Sequence, residues 1–254
     1  MTPRVKKNTA STIVAKIDTG EYELKEFMAY IDAFLDFSKN DIISAVEELK
    51  RIKNEDNRKH LQKLVYTNLV NRFDHLVDKL IVWLSYKTLT LRNEIFQSLK
   101  GEVISKQELY EFFFLSTQNK SYLQNQIENL AQTEFLRKRH STKLEKIVNL
   151  YDSKTAKKPR VGNTGKIFSK TKKAAKVPNS IIGFADYLYC RRNSITHGDG
   201  RNYDEKDRKH IMETYSVNLP KNFRLSLASI TTANVFYNCV LKEVKKNITS
   251  ELLS

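Results

Sequence analysis

The 254-residue chain is poor in cysteine, glycine and proline, and each shortage removes a class of protein. Two cysteines, Cys190 and Cys239, stand too far apart to suggest a disulfide framework or a zinc cluster, and they fit a reducing compartment. Seven glycines and four prolines are too few for the turns of a hairpin-rich sheet protein, whereas Leu, Lys, Glu, Ile and Asn recur in unbroken stretches. The expected fold class is all-α. No apolar run approaches the roughly 18 residues of a membrane span. Met1 to Asp18 carries Arg4, Lys6 and Lys7 without the apolar stretch of a signal peptide behind them. These absences point to a soluble, cytoplasmic protein with no membrane partner. Acids are short as well: 29 Asp and Glu against 44 Lys and Arg leave a formal charge of +15. A field of that sign attracts polyanions, so nucleic acid is the first partner to consider.

What is present is helical periodicity. From Glu21, the residues Leu24, Phe27, Met28, Ile31, Phe34 and Leu35 recur at three- and four-residue steps, and Ile42, Ile43, Val46 and Leu49 resume the pattern. This is one long helix, or two broken near Ser38 to Asp41. Leu61, Val65, Leu69, Phe73, Leu76, Val77, Leu80, Ile81 and Leu84 form a wide stripe over about seven turns and predict a central core helix. A third helix is expected from Ser105, which has capping-box spacing to Glu108, through Leu109, Phe112 and Phe113 to Leu130, with a possible break at Thr117 to Ser121. Leu144, Ile147, Val148 and Tyr151 mark a shorter helix. Another runs from Ile181 to the glycines after His197, a short one spans Asp204 to Tyr215, and a long one follows Pro220.

Residues 152–178 break the pattern. Lys154, Lys157, Lys158, Arg160, Lys166, Lys170, Lys172, Lys173 and Lys176 face the single acid Asp152, with Pro159, Gly162, Gly165 and Pro178 between them. Such a segment has little apolar surface to repay its ordering entropy and reads as a mobile basic loop that adheres to RNA phosphates without reading sequence.

The residues that carry chemistry lie between Arg191 and Gly200, which read Arg-Arg-Asn-Ser-Ile-Thr-His-Gly-Asp-Gly. On the face set by Leu188 and Ile195, Arg192 occupies a position where the pattern expects a core residue. A permanent cation there needs a partner or an anionic ligand. Histidine gives and takes a proton near neutral pH, and the arginine fork holds phosphate oxygens. In RNA the 2′-hydroxyl is a built-in nucleophile, so His197 as general acid or base and Arg192 on the phosphate would suffice without metal or other cofactor. Five helical steps put the two about 140° apart. Either the helix breaks near Thr196 and His197 turns back, or the pair is completed by a second subunit across a two-fold axis.

Arg192-Asn193-Ser194-Ile195-Thr196-His197-Gly198, late in a chain of long helices, resembles the R-N-x-x-x-H signature of the HEPN superfamily. The resemblance implies a HEPN-like bundle of long antiparallel helices, a homodimer whose two motif copies line one cleft, and a metal-independent endoribonuclease of toxin–antitoxin or anti-phage defence type, with an antitoxin or defence-system protein as a further partner. It implies that Arg192 and His197 are catalytic and that Asn193 is the usual polar residue after the arginine. Asp199 stands where the nucleotidyltransferase-paired group has tyrosine, so the ribonuclease LS-like and abortive-infection groups look closer. On this reading residues 1–55 are an N-terminal helical extension and 56–254 the HEPN-like domain.

Several other residues bear on the site. Arg191 fits at one residue longer spacing and can share the phosphate contact or replace Arg192. Asp74, at the edge of the central stripe, reads either as an orienting carboxylate for Arg192 or His197 or as a boundary acid facing water or a lysine. Tyr187 and Tyr189 flank the motif and read as base-stacking or packing residues. His60, His75, His140 and His210 have no convergent partners in the sequence. Two rival readings remain: a non-catalytic RNA-binding module, and a helical partner-binding protein whose motif merely complements the negative end of a helix.

Overall fold

The computed structural model describes residues 21–98, 107, 111, 114, 129–152, 156–171, 176–198 and 200–253. The helices are α1 (Glu21–Phe37), α2 (Ile43–Arg51), α3 (Glu55–Lys87), α4 (Leu89–Ser98), α5 (His140–Asp152), α6 (Ile181–His197), α7 (Glu205–Tyr215) and α8 (Leu227–Leu253). Among the described residues the extended backbone amounts to two isolated antiparallel bridges, Val161 with Ile167 and Asn202 with Asn222. No described helix is long and apolar enough to cross a membrane. The third expected helix falls almost wholly outside the described residues.

Capping residues set the starts of the helices that carry the site. Asn54 Oδ1 accepts from Asn57 N at 2.9 Å ahead of α3, Ser180 Oγ from Gly183 N at 3.0 Å ahead of α6, and Asp204 Oδ1 from Asp207 N at 3.0 Å ahead of α7. Each side chain satisfies a first-turn N–H that has no partner within the helix, a contribution of about 1 kcal/mol.

The 33-residue α3 is the axis of the molecule and packs against α1, α2, α4, α5, α6 and α8. Tyr66, Leu69, Val70, Phe73, Val77, Leu80, Ile81 and Leu84 along it are almost completely buried. Phe73 stacks on Tyr237 of α8 at 3.9 Å between ring centroids and meets Phe34 of α1 edge-on at 5.7 Å. Truncating such a ring to Ala typically costs about 3–5 kcal/mol. Leu61, expected in the stripe, is instead 38% exposed, and the neighbouring Gln62 is the buried one at this turn of α3.

The expected division at residue 55 does not separate two cores. Phe27, Ile31, Phe34, Phe37, Ile42, Val46 and Leu49 share one continuous cluster with α3, α5, α6 and α8. Between α1 and α2 the chain forms a π-helical turn, Ser38–Ile42, rather than a break. The widened turn leaves backbone groups to be satisfied from outside. Asn234 Nδ2 donates to the Ser38 carbonyl at 3.3 Å, Ser38 Oγ donates to Asn234 Oδ1 at 2.6 Å, and Asn238 Nδ2 donates to Ser38 Oγ at 2.6 Å. The first helices are thereby tied to α8.

The basic segment departs from expectation over residues 156–171, which pack against the bundle instead of forming a free loop. Ala156 and Val161 are buried, Arg160 Nη2 contacts Glu243 at 3.1 Å, and Gly165 lies against α8 with φ +81°. A Cβ at Gly165 would sit 2.2 Å from the Thr232 carbonyl oxygen. A few apolar anchors and one glycine hold a stretch whose composition reads as unstructured. Lys157, Lys158, Lys166, Lys170 and Lys176 are exposed, with Lys157 paired to Glu145 at 2.7 Å; Lys154, Lys172 and Lys173 lie outside the described residues.

Candidate functional site

Helix α6 is held at both faces. Tyr66 of α3 donates its hydroxyl to the Leu188 carbonyl at 2.9 Å. Ser194 Oγ donates to the Cys190 carbonyl at 2.9 Å and accepts from Asp204 N at 2.8 Å, which joins α6 to the cap of α7. Burial among these elements raises the Cys190 thiol to about 12 and keeps it protonated.

On this scaffold Arg192 is half-buried. Its Nε donates to Asn71 Oδ1 of α3 at 2.5 Å and its Nη1 to Asn193 Oδ1 at 2.9 Å, with the guanidinium 5.2 Å over the Tyr189 ring. Both hydrogen-bond acceptors are neutral amides, so neither cancels the charge. Asn193 turns its Nδ2 to Asp207 Oδ2 at 2.8 Å, and Asp207 Oδ1 accepts from Arg139 Nη1 at 3.0 Å. Arg139 Nε donates to Asp186 Oδ1 at 2.7 Å. The fully buried Asp186 also contacts His210 Nε2 at 3.0 Å and accepts from Tyr215 Oη at 3.2 Å. Burial alone would lower the Arg139 pKa, but the two carboxylates outweigh it and raise it. The network fixes α7 against α6 and reaches Arg192 through Asn193.

His197 is the last residue of an unbroken α6 and is exposed. The alternative in which the helix breaks and the ring turns back toward Arg192 is therefore excluded, and within one chain the two side chains point about 140° apart. His197 borders a 220 Å³ cleft with Asn193, Gly198, Asn202 and Asp204. It has no hydrogen-bond partner among the described residues.

Arg191 is only 7% exposed, so it does not share the surface position of Arg192. Its guanidinium lies 5.1 Å from the Phe223 ring and 5.6 Å from Tyr66, and Nη2 donates to the Arg224 carbonyl at 2.9 Å. Cation–aromatic contact and a backbone acceptor replace part of the water it loses, while its Nε is buried without a hydrogen-bond partner among the described residues. It fixes the chain leading into α8.

Asp74 bonds neither Arg192 nor His197. It accepts from His140 Nδ1 at 2.7 Å and meets Lys143 Nζ at 3.1 Å, and Lys143 also contacts Asp78. Asp74 thus faces a lysine and a buried histidine. Burial pushes the Asp74 carboxyl up, but His140 and Lys143 prevail and bring it to about 2. Burial raises Asp78, which Lys143 only partly offsets. His140 is itself buried and stacks on Tyr189 at 5.2 Å and 6° between planes, so Tyr189 lies against both His140 and Arg192. The Tyr187 ring lies 5.7 Å from Arg191, and its hydroxyl accepts from the Tyr203 hydroxyl at 3.4 Å.

His140 and His210, which have no visible partners in the sequence, thus pair with Asp74 and Asp186. Asn71 and Arg139 carry no motif and were not expected at the site. His60 and His75 are exposed on α3. No family model, curated protein or solved structure matches the chain.

Proposed function

We propose that the protein is a metal-independent endoribonuclease in which Arg192 holds the scissile phosphate, His197 moves a proton, and the site is completed by two copies of the chain. The observation that carries this reading is the pairing of a half-buried guanidinium, whose hydrogen-bond acceptors among the described residues are amide oxygens, with an exposed histidine at the end of the same helix. A phosphate oxygen offers Arg192 the anionic partner that Asn71 and Asn193 do not supply. Because an intact helix turns the two residues away from each other, an arginine and a histidine from facing copies supply the pair across a two-fold axis.

RNA is the substrate that suits these groups. The 2′-oxygen attacks phosphorus as a base takes its proton, the bond from phosphorus to the 5′-oxygen breaks, and that oxygen gains a proton from an acid. Arg192 stabilises the charge on the phosphoryl oxygens. His197 serves as the acid or the base, and the products are a 2′,3′-cyclic phosphate and a 5′-hydroxyl. Asn193 positions Arg192. Similarity of the motif to HEPN ribonucleases supports a role as a toxin or anti-phage effector held in check by a partner protein.

The test is cleavage of labelled single-stranded RNA in the presence of EDTA. Arg192→Ala and His197→Ala should each reduce the rate by about 100-fold or more while leaving helical circular dichroism unchanged. Undiminished cleavage by either variant contradicts the proposal. Salt-sensitive RNA binding by a wild-type chain that never cleaves would favour the second reading, an RNA-holding module using the exposed lysines of residues 157–176.

A further inference from the structure

A cleft lined by neither Arg192 nor His197 lies between the start of α3 and the segment entering α8. It encloses 710 Å³, within the range of small-ligand sites. Arg58, Lys59, Lys63, Arg201 and Arg224 line it against the carboxylates of Glu55 and Asp56, and Lys59 pairs with Glu55 at 2.8 Å. Its walls are built rather than incidental. Residues 201–203 and 221–223 run together through Phe223 N to the Arg201 carbonyl at 2.8 Å and Tyr203 N to the Lys221 carbonyl at 3.0 Å. The buried Arg191 of the motif braces this wall through the Arg224 carbonyl, which leaves the Arg224 side chain exposed on the cleft. Gly200, at φ +68°, lets Lys63 approach the backbone, since a Cβ there would lie 2.6 Å from its Nζ.

The cleft is also in register with the proposed catalytic arginine. Lys63, Thr67 and Asn71 follow one another at four-residue intervals, each turned about 40° from the last, so Lys63 and Asn71 lie about 80° apart on adjoining faces of α3. Asn71 holds Arg192, and Lys63 stands about 12 Å back along the helix axis. The same Gly198–Arg201 connection that ends α6 at His197 delivers Arg201 to the cleft wall.

We propose that this cleft is a phosphate-gripping subsite for single-stranded RNA, in which Lys63, Arg201 and Arg224 hold the strand to one side of the bond poised at Arg192. The assignment rests on the reading of RNA as substrate. Lysines and arginines converging on a concave surface follow a phosphate backbone without discriminating bases. The braced backbone of residues 201–203 and 221–224 fixes the points from which two of the cations extend before RNA arrives, which reduces the ordering cost of binding.

The experiment uses the full chain carrying His197→Ala, so that RNA is not consumed, and measures its affinity for a fluorescent 12-nucleotide single-stranded RNA over a salt series. Adding Arg201→Ala and Arg224→Ala should weaken binding on the order of tenfold and reduce the slope of log affinity against log salt by about 1.4, the value for two lost single-strand phosphate contacts. The control removes two cations elsewhere, Lys50→Ala and Arg51→Ala on α2, which pair with Glu47 and Glu48. An equal loss from that control means that diffuse charge alone attracts RNA and overturns the subsite. So does binding unaffected by the cleft pair, and neither result touches the cleavage reading. Absence of RNA binding by the otherwise intact chain overturns both. A cleft-dependent affinity in a wild-type chain that does not cleave leaves the subsite standing and removes the nuclease.

Discussion

Asp207 and Arg192 do not touch: Asn193 stands between them, accepting from Arg192 Nη1 at 2.9 Å and donating to Asp207 Oδ2 at 2.8 Å. The amide orients the guanidinium while keeping a carboxylate off it. A direct ion pair would hold Arg192 as firmly but would compete with a phosphate for the same donors.

Asn193→Asp should therefore be more damaging to activity than Asn193→Ala. A carboxylate at position 193 would neutralise Arg192 and face Asp207 with like charge. RNA cleavage should fall at least tenfold further than in the alanine variant, read from initial rates on one substrate. Equal rates for the two variants would show that the amide's neutrality is irrelevant.

Arg139 bridges Asp186 and Asp207. Arg139→Ala leaves the fully buried Asp186 with His210 and Tyr215 as its remaining side-chain partners among the described residues, and loss of one partner of a buried charge costs about 3 kcal/mol. Urea unfolding should report that loss. An Arg139→Ala, Asp186→Asn double variant should recover part of it, since the stranded charge is gone.

Much of the fold was legible because its signals are local. The helical periods around Phe73, Leu144 and Leu227 and the terminating glycine after His197 lie within single elements, and each element appears near its expected place. The contiguous motif from Arg192 to His197 was legible for the same reason. What the sequence concealed is nonlocal. Arg139 meets Asp186 47 residues on and Asp207 68 residues on, and His140 meets Asp74 across 66 residues. Taken singly, each of these side chains has the signature of a solvated surface charge. The docked basic segment was hidden by composition: among nine cations, Ala156, Val161 and Gly165 are too sparse to form a periodic pattern, yet they decide the packing.

That packing has its own test. Gly165→Ala places a Cβ against the Thr232 carbonyl in a backbone conformation with positive φ, and should destabilise the protein on the order of 2–4 kcal/mol. Asn163→Ala in the same turn, at an exposed position, should change stability by less than about 0.5 kcal/mol. Comparable thermal midpoints for the two variants would mean that the segment is not held against α8.

Acid should act through Asp74. Its folded-state pKa, about 2, lies below the ordinary carboxylate value, so the native state binds fewer protons than the unfolded chain between about pH 4 and pH 2. The stabilisation is present above that window and is lost as pH falls through it, by up to about 2 kcal/mol. Asp78, raised by burial, works in the opposite direction. Urea midpoints measured from pH 6 to pH 2 should fall less for Asp74→Asn than for wild type, and parallel curves would contradict the assignment.

The central claim is that Arg192 and His197 act on one phosphate from two copies of the chain, and mixing two inactive variants tests it most directly. Arg192→Ala and His197→Ala, each silent alone, should regain a measurable fraction of wild-type RNA cleavage when unfolded and refolded together, because a mixed dimer brings one intact arginine opposite one intact histidine. A mixture that stays silent beside an active wild type, or a wild type that cleaves RNA as a monomer, would contradict it.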